Sequence, residues 1–488
     1  MRAHCWRRLP EALAPAAALA GALTACTVGP DYVRPDIRSP ERWRIDYRQA
    51  ADIANTRWWE QFGDPVLNQL IETALRENRD LLIAAARVDQ FVGQLSVVRS
   101  RFYPQISYSL DASRNRATQV GQPPLAPGVD PYYSLYQGAL GADWQIDLFG
   151  RVRRQSESAQ AQVYASEQGR RGVVLTLVTS VAASYIGLRA LDRQLEISRA
   201  TAQNYAGTAR IFELRFKGGV VSELELNQVE SQYQQALAAI PALEQQIAAQ
   251  ENLIAVLLGR NPGPIHRGKA MSALVPPGIP ADLPSTLLER RPDILQAEQI
   301  LVSANANIGA DKALYFPSLS LTGVLGSVST TFSNFLSGSA ATASAAAGLG
   351  GPIFTGGRIS GQVQGAEAFQ REALANYQQV ILNAFRETND ALVGTLKKRE
   401  ETEAQTRRVA ALREYARLSR LRFDNGYAGY LEVLYAENEL FGAELSAVRS
   451  QAEAYTQLVG VFRAVGGGWV DEAGKLAPRP AAYADPGR

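Results

Sequence analysis

The chain has 488 residues, 46% of them hydrophobic, with 50 basic and 48 acidic side chains. That balance excludes the electrostatic footprint of a nucleic-acid binder, and the length allows several substructures. The only histidines are His4 and His266 and the only cysteines Cys5 and Cys26, which excludes a Cys/His metal centre.

Residues 1–25 read as a targeting segment. Arg2, Arg7 and Arg8 form a basic start. Ala12 to Leu23 is apolar but too short to span a bilayer as a finished helix. Leu23-Thr24-Ala25-Cys26 then resembles a bacterial lipobox, so Cys26 is expected to be acylated on sulfur and to become the new N-terminus. An ordinary signal peptide with an incidental cysteine is the alternative. Cys5 is lost with the signal, leaving one cysteine and no internal disulfide. The covalent lipid on Cys26 is the only non-protein group expected.

Farther along, two segments alternate with period 2. Ile106, Tyr108, Leu110 and Ala112 alternate with Ser107, Ser109, Asp111 and Ser113. Leu140, Ala142, Trp144, Ile146 and Leu148 alternate with Gly141, Asp143, Gln145 and Asp147. Such strands put one face in oil and the other in water. Gln119–Pro131 between them is rich in turn residues and reads as an exposed loop. From Arg151 to Phe216 there is no proline, and the pattern predicts a helix on the order of 100 Å long. Lys217-Gly218-Gly219 stops it. Leu226, Val229, Tyr233, Ala236, Ile240, Leu243, Ile247, Ile254 and Leu257 then step by three and four as a coiled-coil seam, interrupted by Pro241, where a bend is expected.

The pattern then recurs. Arg422-Phe423-Asp424-Asn425-Gly426 echoes Arg215-Phe216-Lys217-Gly218-Gly219, and Gly357-Arg358 echoes Gly150-Arg151. Tyr315-Phe316-Pro317 with Leu319-Ser320 echoes Phe102-Tyr103-Pro104 with Ile106-Ser107. The order argues for a duplicated unit of roughly 200 residues, far longer than a solenoid repeat. In the second copy Leu319, Leu321 and Leu325 alternate with Ser318, Ser320 and Thr322, and Ser329–Ser339 reads as an exposed loop. Its last strand, around Ala345 to Phe354, is rich in alanine and glycine. Gly172 to Leu188 carries no charge, but its counterpart Gln379 to Thr395 holds Arg386, Glu387 and Asp390. Two copies of one unit belong in the same environment, so the segment reads as a packed helix face and not as a membrane span.

Four amphipathic strands cannot stand alone in a bilayer, because an open sheet leaves edge N–H and C=O groups in hydrocarbon. Two chains would supply eight strands and three would supply twelve. Eight enclose little more than side chains, so a conducting pore favours three. Residues for catalysis are missing: there is no Gly-x-Ser-x-Gly elbow and no Walker loop. Asp293 after Pro292 is expected to begin a helix and not to form a reactive ion pair. A periplasmic coiled-coil scaffold is the competing class, disfavoured by the strand alternation, which a scaffold does not need.

The ordered motifs make the chain similar to the outer-membrane factor (TolC-like) family, in its lipoprotein branch of resistance–nodulation–division (RND) efflux systems (NodT/OprM-like). The motifs are the lipobox with Val28-Gly29-Pro30-Asp31-Tyr32, Trp58-Trp59 leading to Phe62-Gly63-Asp64-Pro65, Leu288 to Ile294, Ala304 to Gly309, and Gly466-Gly467-Gly468-Trp469. The resemblance implies an α+β membrane protein: a trimeric 12-stranded outer-membrane β-barrel, four strands per chain, continuous with a long periplasmic α-helical coiled-coil barrel. It divides the chain into a signal peptide (1–25), an equatorial segment (26–63), a first repeat (64–258), an equatorial linker (259–292), a second repeat (293–465) and a tail (466–488). Strands are expected at about 102–115, 132–148, 315–328 and 340–354, and long helices at 151–217, 221–258, 358–424 and 428–465. The implied function is a passive conduit of a tripartite efflux pump exporting drugs or other small molecules, with no enzymatic activity. A role in protein secretion stays open. The implied partners are two further copies, a periplasmic adaptor, an inner-membrane RND-type pump and outer-membrane lipid. The resemblance places the gate where the helical hairpins turn, at 217–222 and 424–430, with Gly218, Gly219, Asn425 and Gly426 meeting the adaptor. It puts an apolar constriction at Leu431. One turn later, where this branch commonly carries a lumenal aspartate, stands Tyr435, with Glu432 and Glu437 nearby. Leu431 and Tyr435 are therefore expected to close the pore by bulk, unless Tyr435 merely packs between helices.

Overall fold

The computed structural model describes residues 27–37, 43, 56–118, 120–121, 125–126, 128–279 and 287–483. Cys26 and the targeting segment lie outside them. The elements in chain order are α1 (Pro65–Glu77), α2 (Arg79–Ser100), β1 (Gln105–Arg116), β2 (Tyr132–Ile146), α3 (Arg151–Lys217) and α4 (Glu223–Leu257). After the linker follow α5 (Pro292–Lys312), β3 (Ser318–Ser329), β4 (Ala341–Gly350), α6 (Arg358–Asp424), α7 (Tyr430–Val465) and the short α8 (Trp469–Gly474). Both α3 and α6 have 67 residues. α4 runs unbroken through Pro241.

Local chemistry sets the ends. β1 starts after Pro104 and β3 after Pro317, residues without an N–H for a ladder. β2 stops at Ile146, short of Leu148, because the Asp147 carboxylate accepts from the Val152 and Arg153 backbone N–H groups (3.0 and 2.9 Å) and caps α3. β4 stops at Gly350, four residues before Phe354, where Gly351-Pro352 follows.

Two compact units form, and their limits fall inside the long helices. Of the described residues, those within 27–35, 90–165 and 298–376 form one, and those within 36–89, 166–297 and 377–483 form the other. Each therefore draws on both sequence repeats.

The first unit holds a single antiparallel sheet in the order β1-β2-β3-β4. Its register aligns the alternation of all four strands. Tyr108 pairs with Leu140, Leu140 with Leu325, and Leu325 with Ala343. Directly paired residues share a face. One face thus carries Ile106, Tyr108, Leu110, Leu140, Trp144, Ile146, Leu319, Leu321 and Leu349, and the other is mainly polar, with Ser107, Ser109, Asp111, Asp143, Ser320, Thr322 and Ser344 beside Leu135, Val324 and Val328. β1 and β4 are each paired on one side only.

The second unit has its own core. Trp58 stacks on Phe462 (centroids 4.7 Å) and meets Trp59 and Trp469 edge-on, all fully buried. Val174, Val178, Val181, Ala182, Tyr185 and Ile186 of α3 join the same core. The uncharged Gly172–Leu188 stretch is therefore apolar because it packs against protein. The core is pinned by a buried carboxylate: Asp64 accepts from Tyr185 Oη (2.8 Å), Lys269 N (2.9 Å) and, as the cap of α1, Val66 N (2.9 Å). Gly268 lies so close that a Cβ there would stand 2.0 Å from Asp64 Oδ1. Asp64→Ala is expected to cost about 3 kcal/mol, because it orphans three donors. Tyr185→Phe, losing one bond, is expected to cost about 1 kcal/mol. Thermal unfolding in detergent checks that order, and equal effects would contradict it.

Candidate functional site

Two regions carry the expected functional residues. The first is the pair of hairpin turns. At the end of α3, Gly219 adopts φ +70°, Gly219 N donates to Phe216 O (2.9 Å) and Val220 N to Arg215 O (2.9 Å). At the end of α6, Gly426 adopts φ +77°, Gly426 N donates to Phe423 O (2.9 Å) and Tyr427 N to Arg422 O (2.8 Å). Both are Schellman turns, and the left-handed position requires glycine in each. Gly218 N bonds to Leu214 O, and the Asn425 side chain bonds to Leu421 O (2.7 Å).

The restarts differ. α4 begins with a capping box in which Ser222 and Glu225 bond reciprocally, and the Ser222 N–H holds the Glu225 carboxyl below its ordinary range. α7 begins at Gly429 with no side-chain cap. Instead its first residue, Tyr430, is buried against Phe212 (4.4 Å) and Phe423 (5.1 Å). With Val229, Val433 and Leu434 these rings pack the two hairpins together.

Leu431 and Tyr435 lie one turn apart on the opposite side of α7 and are 61% and 60% exposed. Tyr435 is therefore not packed between helices of its own chain. Glu432 is not part of that exposed pair, for it turns to α6, where Arg422 Nη1 donates to it at 2.9 Å. Arg420 and Glu437 form a second ion pair across the same two helices (3.2 Å). Burial pushes the Glu437 carboxyl up, and Arg420 opposes the shift. Arg420 and Tyr430 were not foreseen, since their roles depend on which helices are neighbours.

The second region is the start of the described chain, directly after Cys26. Thr27 sits on Gly150, whose φ is +77° and where a Cβ would lie 2.7 Å from Thr27 Cγ2. Val28 N donates to Phe149 O (3.2 Å). Arg154, 5% exposed, donates to Val28 O and Gly29 O (3.3 Å each) and to Asp31 (2.7 Å), with Glu157 as its other partner (2.8 Å). Asn305 bonds to Pro30 O, while Tyr32 and Arg34 both reach Glu298. Residues 27–34 are thus strapped onto the first turns of α3 and onto α5. Arg154 was also missed, because nothing near it in sequence marks it as a clamp.

Among the described residues no group of three or more His, Cys, Asp or Glu side chains is placed to hold a metal ion. The arrangement offers packing surfaces, ion pairs and a two-faced sheet.

Comparison with known proteins gives a consistent picture. The pattern of the outer membrane efflux protein family matches residues 70–260 and 283–467. The chain is 32% identical to the probable efflux pump outer membrane protein TtgC of Pseudomonas putida strain KT2440, over 93% of this chain and 95% of TtgC. It is 31% identical to the probable outer membrane lipoprotein SilC of Salmonella typhimurium, over 92% of this chain and 97% of SilC. Among solved structures, the outer-membrane channel OprN aligns with a TM-score of 0.82 at 30% identity, covering 91% of this chain and all of OprN. The chain belongs to the outer membrane efflux protein family, whose members are efflux channels of the outer membrane and not enzymes.

Proposed function

We propose that three copies of this chain close a 12-stranded barrel in the outer membrane, joined to a coiled-coil barrel in the periplasm, and form the passive exit duct of a tripartite efflux pump. The observation that carries this reading is the sheet: four strands, one oily face, one polar face and two unpaired edges. Pairing β4 of one copy with β1 of the next satisfies both edges and turns the polar face inward. In this reading an RND-type pump in the inner membrane selects and drives the substrate, a periplasmic adaptor meets the hairpin turns at Gly218, Gly219, Asn425 and Gly426, and the duplicated units alternate around the ring. The cargo is a drug or another small molecule. Single-channel recording in planar bilayers tests the reading, together with cysteine cross-linking of β1 to β4. Absence of conductance, or cross-links confined to one chain, would overturn it.

The gate proposed here is the exposed pair Leu431 and Tyr435, converging from three copies and closing the pore by bulk. Glu432 and Glu437 are neutralised by Arg422 and Arg420 and add little charge to the constriction. Tyr435→Ala is expected to raise single-channel conductance about 2-fold or more, by removing three rings from the narrowest level. Unchanged conductance would show that the tyrosine only packs against a neighbouring copy.

Cys26 is proposed to carry the lipid, and the strap held by Arg154 to fix where that lipid leaves the protein. Arg154→Ala is expected to lower the yield of membrane-inserted trimers several-fold, since it leaves the Val28 and Gly29 carbonyls and two carboxylates without their donor. If the clamp acts through the lipid, the same substitution has no further effect in a Cys26→Ser chain. An equal loss in both backgrounds would make Arg154 a plain folding residue.

A further inference from the structure

The loop between β3 and β4 is exposed over most of its residues, as its composition suggests, and it is folded down onto the sheet. It contains two 3-10 turns, Phe332–Asn334 and Gly338–Ala340. Its backbone is bonded internally, from Asn334 N to Thr331 O (3.3 Å), Phe335 N to Phe332 O (3.2 Å) and Ser337 N to Asn334 O (3.0 Å). Ser327 of β3 anchors it, its hydroxyl donating toward the carbonyls of Phe335 and Ala340.

The side it folds onto follows from register. Ser327 pairs with Gly138, and Gly138 with Leu110, so all three belong to the oily face. The Phe335 ring occupies the slot that Gly138 leaves, where a Cβ would stand 2.7 Å from Phe335 Cζ and 3.0 Å from Leu110 Cδ2. Phe332 meets Tyr136, another residue of that face, edge-on at 5.6 Å. The outer sides of the loop remain open: Phe332 is 74% and Leu336 91% exposed. Charge is absent throughout, for no residue from Ala313 to Gly357 is ionisable as an acid, a lysine, an arginine or a histidine.

A loop that caps a pore mouth would lean over the polar face. This one leans over the opposite face and presents an uncharged surface of phenylalanine, leucine, serine and asparagine. Aromatic rings beside hydrogen-bonding groups suit the boundary between headgroups and acyl chains. We propose that the β3–β4 loop is a bilayer-interface anchor, inserting Phe332 and Leu336 into that boundary at the loop end of the strands. The occupant is the membrane lipid itself, because the loop continues the face that meets lipid. The inference rests on the reading of that face as lipid-facing.

Depth-dependent quenching separates the two. The full chain carrying Leu336→Cys is labelled with bimane and reconstituted in phosphatidylcholine vesicles, with the unsubstituted chain labelled as a blank. The quenchers are doxyl lipids, labelled near the headgroup or deep in the acyl region, and aqueous iodide. Leu140→Cys reports the oily face and Ser109→Cys the polar face. The Leu336 probe is expected to be quenched at least ~3-fold more by the shallow doxyl lipid than by iodide, with the Leu140 probe favouring the deep one. Iodide quenching at Leu336 together with doxyl quenching at Leu140 would overturn the loop anchor while leaving the sheet in lipid. Iodide quenching at both would overturn the lipid-facing sheet and the anchor with it. Phe335→Ala supplies a second check. Freeing the loop from the Gly138 slot is expected to shift the Leu336 probe toward iodide without moving the Leu140 probe, and no shift would count against the anchor geometry.

Discussion

An antiparallel sheet of four strands has two edges, and in hydrocarbon an edge has nothing to bond with. β1 has 12 residues and β4 has 10, and about half the backbone groups of each point away from the sheet. At several kcal/mol for each unpaired group, leaving both edges open to lipid costs tens of kcal/mol. That exceeds the ~5–15 kcal/mol by which a folded domain is usually stable. If this sheet enters the bilayer as proposed, a single subunit has no stable place there. Insertion, barrel closure and association of copies would then be one event, and that coupling is the physical basis for the trimer proposed above.

The second unit is under no such constraint. Trp58, Trp59, Phe62, Phe462 and Trp469 complete an aromatic core within one chain, and Asp64 ties that core to the linker through Tyr185, Gly268 and Lys269. Arg291, almost fully buried, likewise binds Asp293, Glu387 and the Ala464 carbonyl. These charges are tolerated inside because each is met by opposite charge or by hydrogen bonds. The polypeptide thus combines a unit with an aromatic core of its own and a sheet that, in the proposed assembly, needs other copies to pair its edges.

Patterns carried by a single element were legible in the sequence. The alternation through Ile106, Tyr108 and Leu110 reads directly as a strand with one oily face, and a proline-free run after Arg151 reads as a long helix. Glycine at 219 and 426 marks the turns because both positions take a left-handed backbone. Patterns created by neighbours were not legible. Glu432 stands beside Leu431 in sequence and was grouped with it at the gate, but its partner Arg422 comes from the preceding helix. Arg154 looks like any arginine on a helix until residues 28–31 pass over it. Gly138 reads as one more small residue in an alternating strand, and its function as a slot for Phe335 depends on a loop nearly 200 positions later in the chain. The last strand, expected around Ala345 to Phe354 and found at Ala341–Gly350, is faint in the sequence for a related reason. Its residues are too small to announce a hydrophobic face, and only pairing with β3 assigns them to one.

The two hairpins carry this distinction into the proposed gate. Their turns have the same hydrogen bonds, so the way each chain reverses is set locally and equally. The helices that follow are held differently. α4 is fixed by its own Ser222 and Glu225, a local device that comes and goes only with the helix itself. α7 has no such cap, and its start depends on Tyr430 lying against Phe212 and Phe423 and on carboxylates reaching Arg420 and Arg422. Those holds are contacts between helices. A displacement of α7 relative to α6 breaks them without unfolding a turn, whereas releasing α4 from its cap costs about 1 kcal/mol of helix stability outright. The start of the helix that bears Leu431 and Tyr435 therefore rests on tertiary contacts without a side-chain cap of its own, a property that suits the movable constriction proposed above.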